Sequence, residues 1–155
     1  MNPILNLLFP HKSTSKAQAL LLIMLRLLLG LLFLKHGLDK LAAFEELESV
    51  FPDPLGISSK SSLILAIFGE LICSVGFILG FFYRLALIPM ITTMAVAYFL
   101  VHGNDPFATK ELTFVYLSLF LILFVAGPGR YSIDHLIGEK INKRKRNVRI
   151  RKPIR

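Results

Sequence analysis

The sequence predicts an all-α fold: a bundle of four transmembrane helices with the N- and C-termini both cytoplasmic. Four long apolar runs, a charge content kept apart from them, and an uneven spread of Lys and Arg over the connections carry that prediction. Hydrophobic residues make up 54% of the 155, yet the formal net charge is +8. Soluble domains are about 45–50% apolar, and this chain, with a mean hydropathy of +0.63, lies above them. Apolar and charged residues coexist by segregation. Residues 85–101 hold no charge, whereas residues 140–155 hold nine Lys or Arg and no acid.

The first run extends from Ala17 to about Gly37, interrupted by Arg26 and Lys35. No small-residue cleavage site ends it, so it is expected to remain as a helix and not to be removed as a signal peptide. The second, Ser61 to Tyr83, carries one charge, Glu70. The third is Leu85 to Val101, with Pro89 expected to kink it and free the Leu85 carbonyl. The fourth, Leu112 to Ala126, is the shortest; Lys110 and Glu111 are expected to add a turn, and Gly127-Pro128-Gly129 stops it. Helices of these lengths reach roughly 22–35 Å, close to the hydrocarbon thickness of a bilayer. They are apolar nearly all round, unlike soluble amphipathic helices. No alternating pattern favours a barrel.

Basic residues fall before the first helix (His11, Lys12, Lys16), at Arg84 in the second connection, and in the tail. The first loop is acidic, with Asp39, Glu45, Glu46, Glu48 and Asp53 against Lys40 and Lys60. Lys and Arg are retained on the cytoplasmic side, which sets the orientation and requires an even number of spans. Three segments result: a cytoplasmic N-terminal segment 1–16, a membrane domain 17–137, and a basic cytoplasmic tail 138–155. Within the second segment, apolar residues at 133, 136, 137 and 141 suit a short helix on the membrane surface with Ser132 as N-cap. The tail beyond is expected to stay unpacked and mobile. Its Lys143-Arg144-Lys145-Arg146 cluster suits anionic lipid headgroups; in a membrane chain no nucleic-acid partner is expected from it.

Helix two presents Ser62, Ala66, Gly69, Cys73, Gly76 and Gly80 at steps of four and three, a small-residue stripe of the kind that lets membrane helices approach closely. Arg26, Gly30 and Gly37 of helix one are its expected complement. Cys73, the one cysteine, falls within the stripe, which assigns it to packing and excludes an intramolecular disulfide.

Charged side chains inside a bilayer are costly and usually functional. Arg26 and Glu70 each lie about nine residues from the start of their runs, on antiparallel neighbours, so they are expected to meet near mid-membrane. A register-fixing ion pair and a polar cavity for a ligand or proton path both fit. A second group gathers at the non-cytoplasmic mouth: His36 and Lys40 one turn apart, His102 at the end of helix three, and Glu111 at the start of helix four. A rim of snorkelling bases and a ligand mouth both fit this group. No HxxxH or HxxE spacing enforces metal geometry, so no metal site is expected.

The ordered set of Arg26, His36-Gly37-x-x-Lys40, Phe51-Pro52, Gly69-Glu70, Gly76, Gly80, Arg84, His102, Glu111 and Gly127-Pro128-Gly129-Arg130-Tyr131-Ser132-Ile133-Asp134 resembles the DoxX family of small four-helix membrane proteins, over roughly residues 20–137. The resemblance implies a multi-pass protein of the bacterial or archaeal inner membrane. It also implies a kinship with membrane subunits of redox assemblies, a thiosulfate:quinone oxidoreductase among them, and it points to Glu70 and the His36–Lys40 positions. The expected function is a membrane subunit of a redox system that binds a quinone or similar apolar molecule, with a redox partner protein. Arg26 and Glu70 would then hold the ligand or pass protons, and His36, Lys40, His102 and Glu111 would form the mouth. The chain itself carries no cofactor motif: no CxxCH, no iron–sulfur cysteines and no flavin fingerprint. A non-catalytic assembly protein is the alternative, and a small-solute or proton transporter a third. Whether the protein is an enzyme stays open.

Overall fold

The computed structural model describes the backbone of residues 15–150 and the side chains of residues 15–144. The expected N-terminal segment lies outside the described residues except for its last two, and so do the final residues of the tail. Helix α1 spans Lys16–Ala42. Ser15 caps it: its hydroxyl accepts from the Gln18 amide while the Gln18 side chain accepts from the Ser15 amide, both at 3.2 Å. A single turn, Phe44–Leu47, leads into a loop. Helix α2 covers Ser59–Leu79, α3 Tyr83–Val101, α4 Phe107–Ala126 and α5 Ile133–Ile150. The first four are long and apolar enough to cross a membrane, and no strand occurs among the described residues. The four-span all-α expectation therefore holds, and the chain is a multi-pass membrane protein by length and composition.

Consecutive helices run in opposite directions, giving the bundle two ends. One, the loop end, carries the 43–58 loop and the α3–α4 connection. The other, the tail end, carries the start of α1, the α2–α3 turn and the exit into α5.

Where these side chains meet, the core is aromatic. Phe77 stacks on Tyr83 with ring centroids 5.3 Å apart, and Phe120 meets Phe33 and Phe77 edge-on at 5.0 and 5.8 Å. Leu87 and Met90 fill the remaining space. Outside, Leu21, Leu28, Ile122 and Val125 stand exposed, as side chains facing acyl chains must.

Helix α1 is longer than its apolar run. Its 27 residues reach about 40 Å, so Lys35 to Lys40 continue the helix on the loop side. Helix α2 is not uniformly α: it widens into a π-turn at Phe68–Ile72, where the Cys73 amide donates to the carbonyl of Phe68 five residues back. A second π-turn ends α3 at Ala97–Val101. Helix α3 runs through Pro89, with Thr93 Oγ1 donating to the Pro89 carbonyl at 3.0 Å.

The small-residue stripe of α2 meets the expected partner only at its end, where Gly80 lies against the Arg26 guanidinium and Ser132. A methyl group on Gly69 would stand 2.7 Å from Thr93 Oγ1, and one on Gly76 3.3 Å from the Ala86 Cβ, so these two glycines of the stripe face α3. The glycines of α1 meet a different side of α2. Gly37 lies against Leu71, where a Cβ would be 2.7 Å from the backbone nitrogen, and Gly30 lies against Ile78. Each small residue there receives a large one, which brings backbones together as well as small-on-small packing does.

The surface helix is longer than expected. Instead of ending near residue 137, α5 continues to Ile150, so the tail is helical over most of its described length. Glu139 sits one turn from both His135 (3.5 Å) and Lys143 (3.9 Å), and Lys and Arg are good helix formers. Asp134 in its first turn is fully buried. Its carboxylate accepts from the amides of Phe82 and Tyr83 at 2.9 and 2.8 Å, capping α3, while its own amide donates to the Gly80 carbonyl at 2.9 Å. Burial raises the Asp134 carboxyl above its ordinary range; the two amides, Arg26 and Arg84 pull the other way.

Candidate functional site

A cavity of about 360 Å³ lies towards the loop end, within the roughly 300–1,000 Å³ of small-molecule sites. The periodicity of each helix brings its residues there. Helix α1 contributes Phe33, His36 and Lys40, which share one face at helical spacing. Helix α2 contributes Ser62, Ala66 and Glu70, each one turn after the last. Helix α3 contributes Thr93 and Ala97, and α4 contributes Thr113 and Tyr116. Both π-turns border the cavity, through Glu70 in the first and Ala97 and Val101 in the second. Such turns are rare and recur at functional sites, because the extra residue re-aims side chains that an α-helix would carry past.

The 43–58 loop covers the end of this space with Phe51, Pro52 and Leu55. Asp53 ties that cover down: its carboxylate accepts from the amides of Ile57 and Ser58 at 3.0 and 2.7 Å and from the Ser62 hydroxyl at 2.8 Å. The Ser62 hydroxyl chiefly, with these amides, holds the Asp53 carboxyl below its ordinary range. Lys60 adds an ion pair to Glu48 at 2.8 Å.

On the cavity wall, Lys40 Nζ meets Glu70 Oε2 at 2.6 Å; the Glu70 side chain is 3% exposed and that of Lys40 25%. This is the ion pair that Arg26 was expected to make. Glu70 Oε1 has no hydrogen bond among the described residues, and neither has the Tyr116 hydroxyl, although Tyr116 is buried on the same wall. His36 packs edge-on against Tyr116, centroids 6.1 Å apart. His102 lines the rim with its Nδ1 2.8 Å from Asp105 Oδ2. Glu111 is exposed and lies outside the lining. Of the six predicted site residues, the structure thus gathers His36, Lys40, Glu70 and His102, and leaves out Arg26 and Glu111. Among the described residues no group of three His, Cys, Asp or Glu would hold a metal ion.

Arg26 lies elsewhere. It is fully buried near the tail end, where Nε donates to the Phe77 carbonyl at 3.1 Å, Nη1 to those of Pro128 and Tyr131 at 3.0 and 2.8 Å, and Nη2 to that of Ile78. Phe77 and Ile78 belong to the last turn of α2, whose carbonyls lack the usual partners further along the helix; that of Phe77 also accepts from the Gly80 amide at 3.1 Å. The guanidinium therefore closes α2 and ties it to α1 and the turn before α5. Phe77 is seven residues beyond Glu70, roughly 10 Å of helix, so the two charges do not share a depth. Arg84 does similar work for α4, donating from Nε to the Phe124 carbonyl at 3.2 Å.

Tyr116 was missed by sequence reasoning. Its signal was a hydroxyl-bearing ring in mid-span, where tyrosine needs a polar partner. Lys40 was placed in the outer mouth, yet it reaches the buried carboxylate.

The DoxX family model matches residues 21–103, more than half of the chain. Two proteins of Haemophilus influenzae are similar over about three quarters of the chain. One is 32% identical and matched over 90% of its length, the other 28% identical and matched over 82%; both are described as uncharacterized. No solved structure matches.

Proposed function

This chain belongs to the DoxX family of membrane proteins, and from that premise we propose that it serves as a membrane subunit of a redox system whose loop-end cavity binds a quinone or a similar apolar molecule with a polar head. The observation that carries the reading is the Lys40–Glu70 pair on the wall of an otherwise largely apolar cavity. Two charges taken out of water are a poor source of stability, since desolvation offsets their attraction. A cavity beside them gives those charges a use. Lys40 has N–H groups left to donate to a ligand carbonyl, and the Tyr116 O–H can donate as well. Glu70 Oε1 is free to accept from a ligand hydroxyl. A quinone and its quinol present those two groups in turn. With no electron carrier encoded in the chain, electrons would come from a partner protein.

Both termini are assigned to the cytoplasm, and the loop end to the opposite side of the inner membrane, because Arg84 and the Lys- and Arg-rich tail fall at one end and the acidic loop at the other. The basic face of α5 would then lie against anionic headgroups.

The test is extraction of protein purified in mild detergent, followed by chromatography of the bound lipid. Quinone is expected with the wild type and is expected to be lost in Glu70→Gln, while Arg26→Lys keeps it. Wild-type protein without quinone, in membranes that contain it, would overturn the reading.

A further inference from the structure

The geometry points to a side entrance: the ligand's apolar tail leaves the cavity between α2 and α3 into the acyl layer, so the site takes a head-and-tail amphiphile and not a compact molecule from the aqueous phase. This deepens the reading above and rests on it.

Helices α2 and α3 pack closely from the π-turn of α2 to their shared turn, through Gly69 against Thr93 and Gly76 against Ala86. Towards the loop end they part, and the Ser59–Ile67 stretch of α2 stands off from α3. The gap between them leads into the cavity. Its rim belongs to the lipid-facing side of both helices. On α2 the exposed line Leu65, Phe68 and Ile72 follows helical spacing, and on α3 the exposed line Leu85, Ile88 and Thr92 does the same. The first residue of one line and the last of the other, Leu65 and Thr92, also line the cavity. Met90 and Met94 mark the opposite, buried side of α3. One wall of the cavity therefore coincides with the outer surface of the bundle. Thr92 is about 14 Å along α3 from its loop end, close to half the hydrocarbon thickness of about 30 Å. At that depth the surroundings are acyl chains, while the loop end is covered by the tethered Phe51–Leu55 segment.

A chain leaving through this gap stays in hydrocarbon, and the cavity of about 360 Å³ is left to the head. The polar head then sits inward, beside Lys40, Glu70 and Tyr116.

The test uses full-length protein in lipid nanodiscs and two probes with one head group: a dimethoxy-methyl-benzoquinone without a tail and its decyl derivative. Val96→Trp, one turn beyond Thr92 and also on the cavity lining, and Leu65→Trp place an indole at the gap from either helix; Ile122→Trp on the lipid face of α4 is the control. The expected result is decyl-quinone binding weakened on the order of tenfold more than tailless-quinone binding by both gap variants, with the control unchanged for both probes. Equal binding of the decyl probe to all variants would overturn the side entrance and leave the proposed function standing. Equal loss of both probes would also overturn it, since the indole would then be blocking the head site. Neither probe binding to wild type would overturn both.

Discussion

Removing Lys40 is expected to destabilise this protein far more than neutralising Glu70, and the asymmetry follows from burial. In Lys40→Met the Glu70 carboxylate, 3% exposed, loses its only ion-pair partner among the described residues. Orphaning one member of a buried pair costs about 3–5 kcal/mol. In Glu70→Gln the ammonium left behind is 25% exposed and can swing its flexible stem towards the loop end, so a cost nearer 1–2 kcal/mol is expected, comparable to one lost charge-assisted hydrogen bond. The double variant removes both charges, and its cost should fall well short of the sum. Cys73 supplies the assay. It is the only cysteine and it is buried, so a maleimide dye labels it when the bundle opens. With every 1.4 kcal/mol worth a factor of ten, Lys40→Met should raise the labelling rate by about two to three and a half orders of magnitude, Glu70→Gln by about one, and the double variant by no more than the latter. Equal effects of the two single changes, with simple additivity in the double, would refute the reasoning.

Arg26→Met should cost roughly 2–3 kcal/mol, taking four carbonyl contacts at about 0.6 kcal/mol each in bilayer proteins. The same labelling assay reads it, and the folded fraction should keep its quinone. Gly37→Ala should cost about 1–3 kcal/mol, because its methyl would lie 2.7 Å from the Leu71 nitrogen and 2.9 Å from the Glu70 carbonyl carbon, backbone atoms that cannot rotate away. Quinone content should fall with it, since Glu70 is displaced too. Asp134→Asn should cost on the order of 1 kcal/mol, as one of two capped amides then faces an amide nitrogen. It should also change the pH profile. The wild-type carboxyl is raised, so the native state holds the proton longer than the unfolded chain, and stability falls as pH rises from the ordinary carboxyl range through the native value. Across that window the variant should lack this decline, read from labelling rates at a series of pH values.

Much of the architecture was legible in the sequence because bilayer crossing is a requirement on length and polarity alone. Four long apolar runs with few charges gave four helices, and Gly127-Pro128-Gly129 gave the stop. The site was only half legible. His36, Lys40, Glu70 and His102 announced themselves as polar groups in or beside apolar runs. Their pairing did not, because depth counted from the start of an apolar run assumes that the helix ends where the run ends. Helix α1 instead continues to Ala42, and the contact of Gly37 with Leu71 sets a register that puts Lys40, not Arg26, at Glu70. The role of Arg26 was hidden for a different reason: its acceptors are backbone carbonyls, which every residue has and no residue type advertises. The π-turn that aims Glu70 left no mark in composition either.

The central claim is that the loop-end cavity holds the head of a quinone-like amphiphile against Lys40, Glu70 and Tyr116. A photoreactive azido-quinone, irradiated with the protein in nanodiscs and mapped by peptide mass spectrometry, tests it most directly. The account predicts adducts on the segments carrying Glu70, Thr93 and Tyr116, suppressed by excess unlabelled quinone. Adducts scattered over the lipid-facing Leu21, Ile122 and Val125, or centred on Arg26, would contradict it.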